Sequence, residues 1–448
     1  MCSTVTRDDS PPSLYARVTS FASVSTLRLM LLHHAKKRIA SAIEEIDRLM
    51  QSEFPSQHPK DAICILREKF EHSASVLERI DPNICPEIVR VECNASLERL
   101  FVYVPILGFI LRSTNVRNGF EAYVPLLRLA ESLIGDNTKL IVSSEWEFSP
   151  FTYYNITDLP GFVLIGIPAT ESSNPLIVPL AGHELGHSVW KTLRVADAYK
   201  GMVRKAVLDE IRNKQWAQYR EKFPQCERKE DLEEDMYIQR TWEPARQWAM
   251  LQIEEIFCDI MGVRLFAESY LHAFSYLLAP GNGSQRSLRY PKITKRILLL
   301  RRAAEALKVD IPQDFTESFL PEDDPTDPTT AFLVSIADTV SESCFPDLLH
   351  RVQQIADTKK IPIRDVQKVG KIADRFKKWV VPTTEYENLV DILCAAWKCS
   401  LDQSLWEHIP QLRRTAWERV LRDLAYKSME VSEVYLRLQK AGVSTEAS

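Results

Sequence analysis

The sequence predicts a mainly α-helical chain with a small antiparallel sheet, an α+β class, and three observations predict it. Apolar residues recur at alternating spacings of three and four from Leu32 to Leu49, and further helical segments follow to about residue 135. Between residues 140 and 168 the chain becomes rich in β-branched and aromatic side chains, and beyond that the helical pattern resumes and runs to about residue 440. With 448 residues, 45% of them apolar, the chain can bury a large core and is long for one domain.

The first helix is marked by Leu32, Ala35, Ile39, Ala42, Ile46 and Leu49, an apolar stripe beside the basic cluster Lys36-Lys37-Arg38 and the acidic pair Glu44-Glu45. Further helical segments at about 60–80, 86–113 and 119–135 complete a helical N-terminal region, residues 1–135. The longest apolar run, residues 100–111, holds Pro105 and Gly108 and is flanked by Arg99 and Arg112. It is shorter than the roughly 20 residues needed to cross a bilayer, so it reads as a buried helix or hairpin and not as a membrane span.

The character changes near Asp136. Residues 140–144, 148–156 and 162–168 read as antiparallel strands, separated by turn signals such as Asp158-Leu159-Pro160-Gly161. Asn174 with Pro175, or Pro179 as a first helical residue, opens the next helix. Residues 195–240 are a charged insertion, with a long helix at about 196–219 and the acidic cluster Glu230, Asp231, Glu233, Glu234 and Asp235; it reads either as a solvated arm or as a lid. Glu243-Pro244 opens another helix, and a further one runs from 291 to about 306. These elements form a core domain, residues 136–308. Residues 309–329, rich in proline and acidic side chains, read as a linker. A helical C-terminal region, residues 330–448, follows and ends in a short tail expected to be disordered.

Chemistry is concentrated in Ala181-Gly182-His183-Glu184-Leu185-Gly186-His187, an H-E-x-x-H run. Residues four apart share a helix face, so His183 and His187 can each give an imidazole nitrogen to one metal ion, with Glu184 beside the open position. Zinc bound by two imidazoles needs a third protein ligand and a free fourth position. The run Glu254-Glu255-Ile256-Phe257-Cys258-Asp259 supplies a candidate, Glu255, with Glu254 competing because spacing alone does not fix the rotation of that helix. Asp259, one turn beyond Glu255, favours Glu255 and can accept the second ring N–H of a ligating histidine. The metzincin extension would need histidine at position 193, where this chain has Leu193.

H-E-L-G-H followed by E-E-I-F-C-D resembles the gluzincin clan of zinc metallopeptidases. The run Tyr290-Pro291-Lys292-Ile293-Thr294-Lys295-Arg296-Ile297 is similar to the H-P-x-x-x-x-R-I element of the membrane-bound CAAX-processing and heat-shock zinc proteases, with Tyr290 replacing the histidine and Arg296 kept. The resemblance covers about residues 140–300. It implies a zincin-like core with zinc on His183, His187 and Glu255, Glu184 as general base, and Tyr290 and Arg296 facing the cleft, where either can stabilise an oxyanion. His272 is the alternative donor. It also implies that residues 162–167, ahead of the H-E-x-x-H helix, form an edge strand to which an extended peptide adds. The membrane spans of that family have no counterpart here.

A net charge of -5 gives no global attraction to nucleic acid, and no phosphate loop, nucleophile elbow or nucleic-acid motif is present. Nine scattered cysteines without C-x-x-C spacing fit reduced thiols, and the polar start, residues 1–9, does not read as a signal peptide, so a cytoplasmic location is expected. Arg364, Lys368, Lys371, Arg375 and Lys378 fall on one helical face, a solvated face or a surface for phosphate or acidic partners. The function expected is an intracellular zinc metallopeptidase, an endopeptidase acting on a protein or peptide substrate, with helical flanks that can bind a protein partner. The alternative is a helical interaction or regulatory protein with a structural zinc site.

Overall fold

The structure is a computed structural model describing residues 19–81, 84–115, 119–146, 150–153, 156, 158–281, 285–381, 386–402, 404–407 and 414–442. Residues 1–9 and the tail beyond 442 lie outside the described residues, as do 148, 149, 154 and 155 of the expected second strand. The chain divides into two compact units, Met1–Thr114 and Asn115–Ser448.

The first unit packs three helices against one another: α1 (Thr19–Met50), α2 (His58–Arg79) and α3 (Pro86–Arg112). The stripe read from the sequence is the packed face of α1, with Leu32, Ala35, Ile39, Ile46 and Leu49 buried. Opposite them lie Ile63, Leu66, Phe70 and Leu77 of α2 and Tyr103, Ile106, Phe109 and Ile110 of α3. Pro59 and Pro86 sit in the first turns of α2 and α3, where a missing N–H costs nothing. The apolar run 100–111 is not a buried helix. It belongs to α3, and Phe101, Val102, Val104 and Leu111 are exposed. By length and composition alone, Glu87–Arg112 is long and apolar enough to cross a membrane, and most of its most apolar stretch is not buried within the protein.

The second unit begins with α4 (Gly119–Ile134), which packs on β1 (Lys139–Glu145) and on the last helix, α17 (Arg414–Lys440). The compact unit therefore starts before Asp136. A three-stranded sheet follows, with β2 (Phe151–Tyr153) and β3 (Phe162–Pro168), in the order β1-β3-β2. The sheet is mixed and not antiparallel: β1 runs parallel to β3, pairing Lys139 with Phe162 through Glu145 with Pro168, and only β2 is antiparallel. The reason lies in burial. Leu140, Ile141, Val142 and residues 162–165 are buried in succession, the pattern of strands covered on both faces, which parallel pairing requires. β3 is accordingly the central strand, and the expectation of a free edge at residues 162–167 is corrected.

Asn174 caps a 3₁₀ turn, Pro175–Leu180, by accepting from the Leu176 N–H, and α5 (Ala181–Thr192) follows directly. The charged insertion comprises α6 (Ala196–Asn213), α7 (Trp216–Lys222) and the short α8 (Asp231–Glu234). Tyr199, Val203, Val207, Leu208 and Ile211 of α6 are buried, so this segment is part of the core and not a solvated arm.

The long α9 (Met236–Phe266) starts earlier than Glu243-Pro244, because Asp235 accepts from the N–H groups of Tyr237 and Ile238 and caps it there; Pro244 lies inside the helix. Its C-terminal half is buried on every side and is packed by α5, α6, and then by α10 (Glu268–Leu278), α11 (Ile293–Leu307), α12 (Pro328–Ser343) and α13 (Phe345–Thr358). The proline-rich stretch before α12 does not hang free: Phe315 and Phe319 are buried beside Phe274. Helices α14 (Val366–Lys377), α15 (Leu389–Leu401), α16 (Ser404–Glu407) and α17 close the unit. Trp397 of α15 donates to the Leu176 carbonyl at 2.9 Å, tying these C-terminal helices to the turn that leads into α5.

Candidate metal centre

The site forms where α5 crosses α9, and small residues let the helices approach. A Cβ on Gly182 would lie 3.1 Å from the Gly262 Cα and 2.8 Å from the Phe266 ring, and one on Gly186 would lie 2.8 Å from the Cys258 Cα. Gly182 and Gly186 are four apart on α5, as Cys258 and Gly262 are on α9, so each helix presents a row of small side chains to the other. The same crossing puts His183, Glu184 and His187 opposite Glu254, Glu255, Cys258 and Asp259, all buried or nearly so.

The two imidazoles are arranged alike. His183 Nδ1 lies 2.9 Å from Asp259 Oδ1, and His187 Nδ1 lies 2.8 Å from Glu254 Oε1. Both Nε2 atoms turn toward Glu255 Oε2, at 3.2 Å from His183 and 3.8 Å from His187. A carboxylate on each Nδ1 directs Nε2 toward a common point, which is how histidine is presented to a metal. Cys258 Sγ belongs to the neighbourhood as well, since ligand atoms of His183, His187 and Cys258 all lie within 4.8 Å of one another. This buried His-His-Cys group can hold a metal ion. The two candidate third ligands differ in setting, because Cys258 is pressed against Gly186 between the helices whereas Glu255 faces both Nε2 atoms.

Outer residues fix these carboxylates. Arg296 grips Asp259 with two hydrogen bonds, Nε to Oδ2 at 2.6 Å and Nη2 to Oδ1 at 2.8 Å, and Tyr270 donates to Asp259 Oδ1 at 2.8 Å. Arg289 donates from Nε to Glu255 Oε1 at 2.8 Å, leaving Oε2 for the imidazoles. The loop that carries Arg289 and Tyr290 is itself anchored. Buried Arg286 makes two 2.7 Å bonds to Asp338, which also accepts from Gln252 at 2.9 Å, and Arg286 Nη2 donates to the Tyr290 carbonyl at 3.3 Å.

Burial works against the imidazolium of His183, but its bonds to Asp259 and Glu255 and their charges outweigh that and raise its pKa to about 10. Burial likewise opposes ionisation of Glu255 and Asp259. The bond to His183 and its charge nevertheless hold Glu255 at about 2, and the Arg296 charge and hydrogen bond keep Asp259 well below the usual carboxylate range. Glu184 is pushed up by burial, and the same cause raises the Tyr290 phenol to about 12 and the Cys258 thiol well above its ordinary value.

His183 and Glu184 open on a cavity of about 330 Å³ whose wall includes Tyr270, Phe274, Leu277, Tyr290 and Arg296. Tyr290 therefore reaches the cavity. Arg296 does too, but its guanidinium is committed to Asp259, stacked over Phe274 at 4.9 Å, so it braces the His183 partner instead of standing free for an oxyanion. His272 is elsewhere: its ring stacks on Trp397 at 5.3 Å, and burial lowers its pKa to about 4. None of the described residues lining the cavity comes from 195–240. The C-terminal basic residues are partly consumed in ion pairs, Arg364 with Glu268 at 2.6 Å and Lys368 and Arg375 with Glu387 at 3.8 Å. Tyr270, Arg289 and the Glu254 contact to His187 were not legible from spacing, because each depends on where a distant element is packed. No protein-family model, curated protein sequence or solved structure matches this chain.

Proposed function

We propose that the chain is a zinc-dependent metallopeptidase of gluzincin type that hydrolyses peptide bonds in an intracellular protein or peptide. The observation that carries this reading is the convergence of His183 Nε2, His187 Nε2 and Glu255 Oε2 beside a cavity that Glu184 also lines. Two imidazole nitrogens and a carboxylate oxygen are a usual catalytic donor set for zinc, with one position left open. The charge balance suits a divalent cation too. Glu184, Glu254, Glu255 and Asp259 against Arg289 and Arg296 leave two negative charges when the imidazoles are neutral.

Zinc, when bound, supplies Lewis-acid polarisation of a carbonyl and makes water more acidic. The remaining work falls to side chains. Glu184 accepts the proton of the attacking water and delivers it to the leaving amine. Tyr290, kept protonated by its burial, donates to the developing oxyanion. Arg289 holds Glu255, the carboxylate that would bind the metal, and Arg296 holds Asp259, which orients His183. The free, scattered cysteines among the described residues fit a cytoplasmic setting. Glu184→Gln is the test: the variant keeps about one zinc per chain by elemental analysis, while cleavage of a proteome-derived peptide pool, read by mass spectrometry, falls by about 100-fold or more. Equal cleavage by both proteins refutes the assignment.

A second reading rests on Cys258. If its thiolate joined His183, His187 and Glu255, four protein ligands would close the site, and the metal would be structural in a helical interaction or regulatory protein. Cys258 is pressed against Gly186 between the helices whereas Glu255 faces both Nε2 atoms, and this favours the peptidase. Cobalt-substituted protein separates the two. A thiolate-to-cobalt charge-transfer band that Cys258→Ser abolishes supports the structural site; its absence supports the open one.

A further inference from the structure

The C-terminal half of α3 is apolar on both sides. Its inner side chains Tyr103, Ile106, Phe109 and Ile110 are buried in the three-helix unit, while Phe101 is 67% exposed, Val102 53%, Val104 51% and Leu111 51%. No charged residue interrupts residues 100–111. A helix that faces water normally carries a polar outer face, so an apolar face of this length needs a second apolar environment.

What borders that face indicates its chemistry. An open groove between α1 and α3 is lined by Leu100, Val104 and Leu107 on one side and by Lys37, Arg38 and Glu45 on the other, Glu45 being paired with Arg48. Lys36 next to them is bound to Glu78 at 2.8 Å, but among the described residues Lys37 and Arg38 form no ion pair, and both are exposed. Arg99 and Arg112 stand at the two ends of the uncharged stretch. An apolar stripe fringed by basic side chains is the pattern of a helix lying in a membrane interface. There the stripe enters the boundary of headgroups and acyl chains, and the cations meet lipid phosphates.

We infer that the first unit docks on an anionic lipid bilayer through the outer face of α3, lying on the surface and not crossing it. At 1.5 Å per residue the uncharged stretch is roughly 18 Å long, short of the roughly 30 Å hydrocarbon core. Insertion across the bilayer would also strip Tyr103, Ile106, Phe109 and Ile110 from α1 and α2, whereas surface docking leaves the unit intact. The inference is independent of the metal centre.

Flotation of the full chain with phosphatidylglycerol and with phosphatidylcholine vesicles tests it. The wild type floats with phosphatidylglycerol, more weakly with phosphatidylcholine, and less as salt rises, because the Debye length shrinks. The pair Phe101→Ser with Val104→Ser loses binding to both lipids. The pair Lys37→Gln with Arg38→Gln loses only the preference for the anionic lipid, by about 25-fold, since each basic side chain near such a surface is worth roughly fivefold. All four positions are exposed or rim positions, and the charge pair and the salt titration stand even if the serine pair folds poorly. Absence of flotation with phosphatidylglycerol, or equal binding to both vesicles, overturns the proposal. So does a lipid-free dimer that the serine pair converts to a monomer, since the face would then belong to a second copy of the chain.

Discussion

Gly186 meets Cys258 backbone to backbone: a Cβ on Gly186 would stand 2.8 Å from the Cys258 Cα. The obstacle is main chain, so it cannot swing aside as a side-chain tip would. Gly186→Ala therefore forces α5 and α9 apart at the point where His183 and His187 face Glu255. Overpacking of this kind costs about 1–3 kcal/mol. The expected outcome is a lower unfolding temperature in metal-free protein together with weaker zinc binding in a chelator titration. A variant that binds zinc like the wild type would mean that the crossing does not set the ligand geometry.

The two adjacent glutamates separate by function. Glu255 faces both Nε2 atoms, whereas Glu254 accepts from His187 on the other side of the ring. Glu255→Gln removes a ligand, and Glu254→Gln removes only the group that orients one. Zinc affinity should fall by about 10- to 100-fold in the Glu254 variant, the usual range for a partner of a metal-bound histidine, and further in the Glu255 variant. Competition with a fluorescent chelator gives both numbers. The reverse order would place Glu254 at the metal.

The parts of this centre that could be read in the sequence are those set by helix periodicity. His183 and His187, or Glu255 and Asp259, are four apart, and a helix brings such pairs to one face whatever surrounds it. That Asp259 accepts from a ligating histidine followed from the same rule plus the chemistry of imidazole, and packing decides that it is His183. Tyr270 and Arg289 obey no such local rule; they reach Asp259 and Glu255 only because α10 and the loop before α11 are packed on α9. The sheet shows the same division. Residues 140–144 and 162–168 were visible as strands from their β-branched and aromatic content, but the direction in which β1 pairs with β3 depends on the crossover between them. The supposed linker misled for a related reason: proline and acidic residues dominate its composition, and two phenylalanines decide its placement.

Tyr290 and Arg296, which motif spacing groups together, should behave differently. Tyr290 lines the cavity, and phenylalanine keeps the ring that lies against Arg289 and Arg296, so Tyr290→Phe is expected to lower kcat by about 10-fold or more while zinc content stays at wild type. Arg296 holds Asp259, which in turn holds His183 Nδ1, so Arg296→Ala should weaken zinc binding itself. Measuring zinc affinity and turnover side by side decides the matter. Full zinc affinity in Arg296→Ala with slow turnover would return that guanidinium to the oxyanion role.

His272 provides a pH signature that lies away from the metal. Burial against Trp397 lowers its pKa to about 4, below the roughly 6.5 of an unfolded histidine. The sign follows from proton counting: between those two values the unfolded chain holds a proton that the folded chain does not, so stability falls as pH drops through this window. Above pH 6.5 both states are neutral and the full stability is present. By pH 5 the loss from this one group amounts to about 2 kcal/mol, at 1.36 kcal/mol per pKa unit. His272→Phe keeps a flat ring on Trp397 and removes the titration, so its unfolding temperature should fall less than that of the wild type between pH 7 and pH 5. Calorimetric melts across that range test it, and parallel curves for the two proteins would show that His272 can be protonated in place without disturbing the fold.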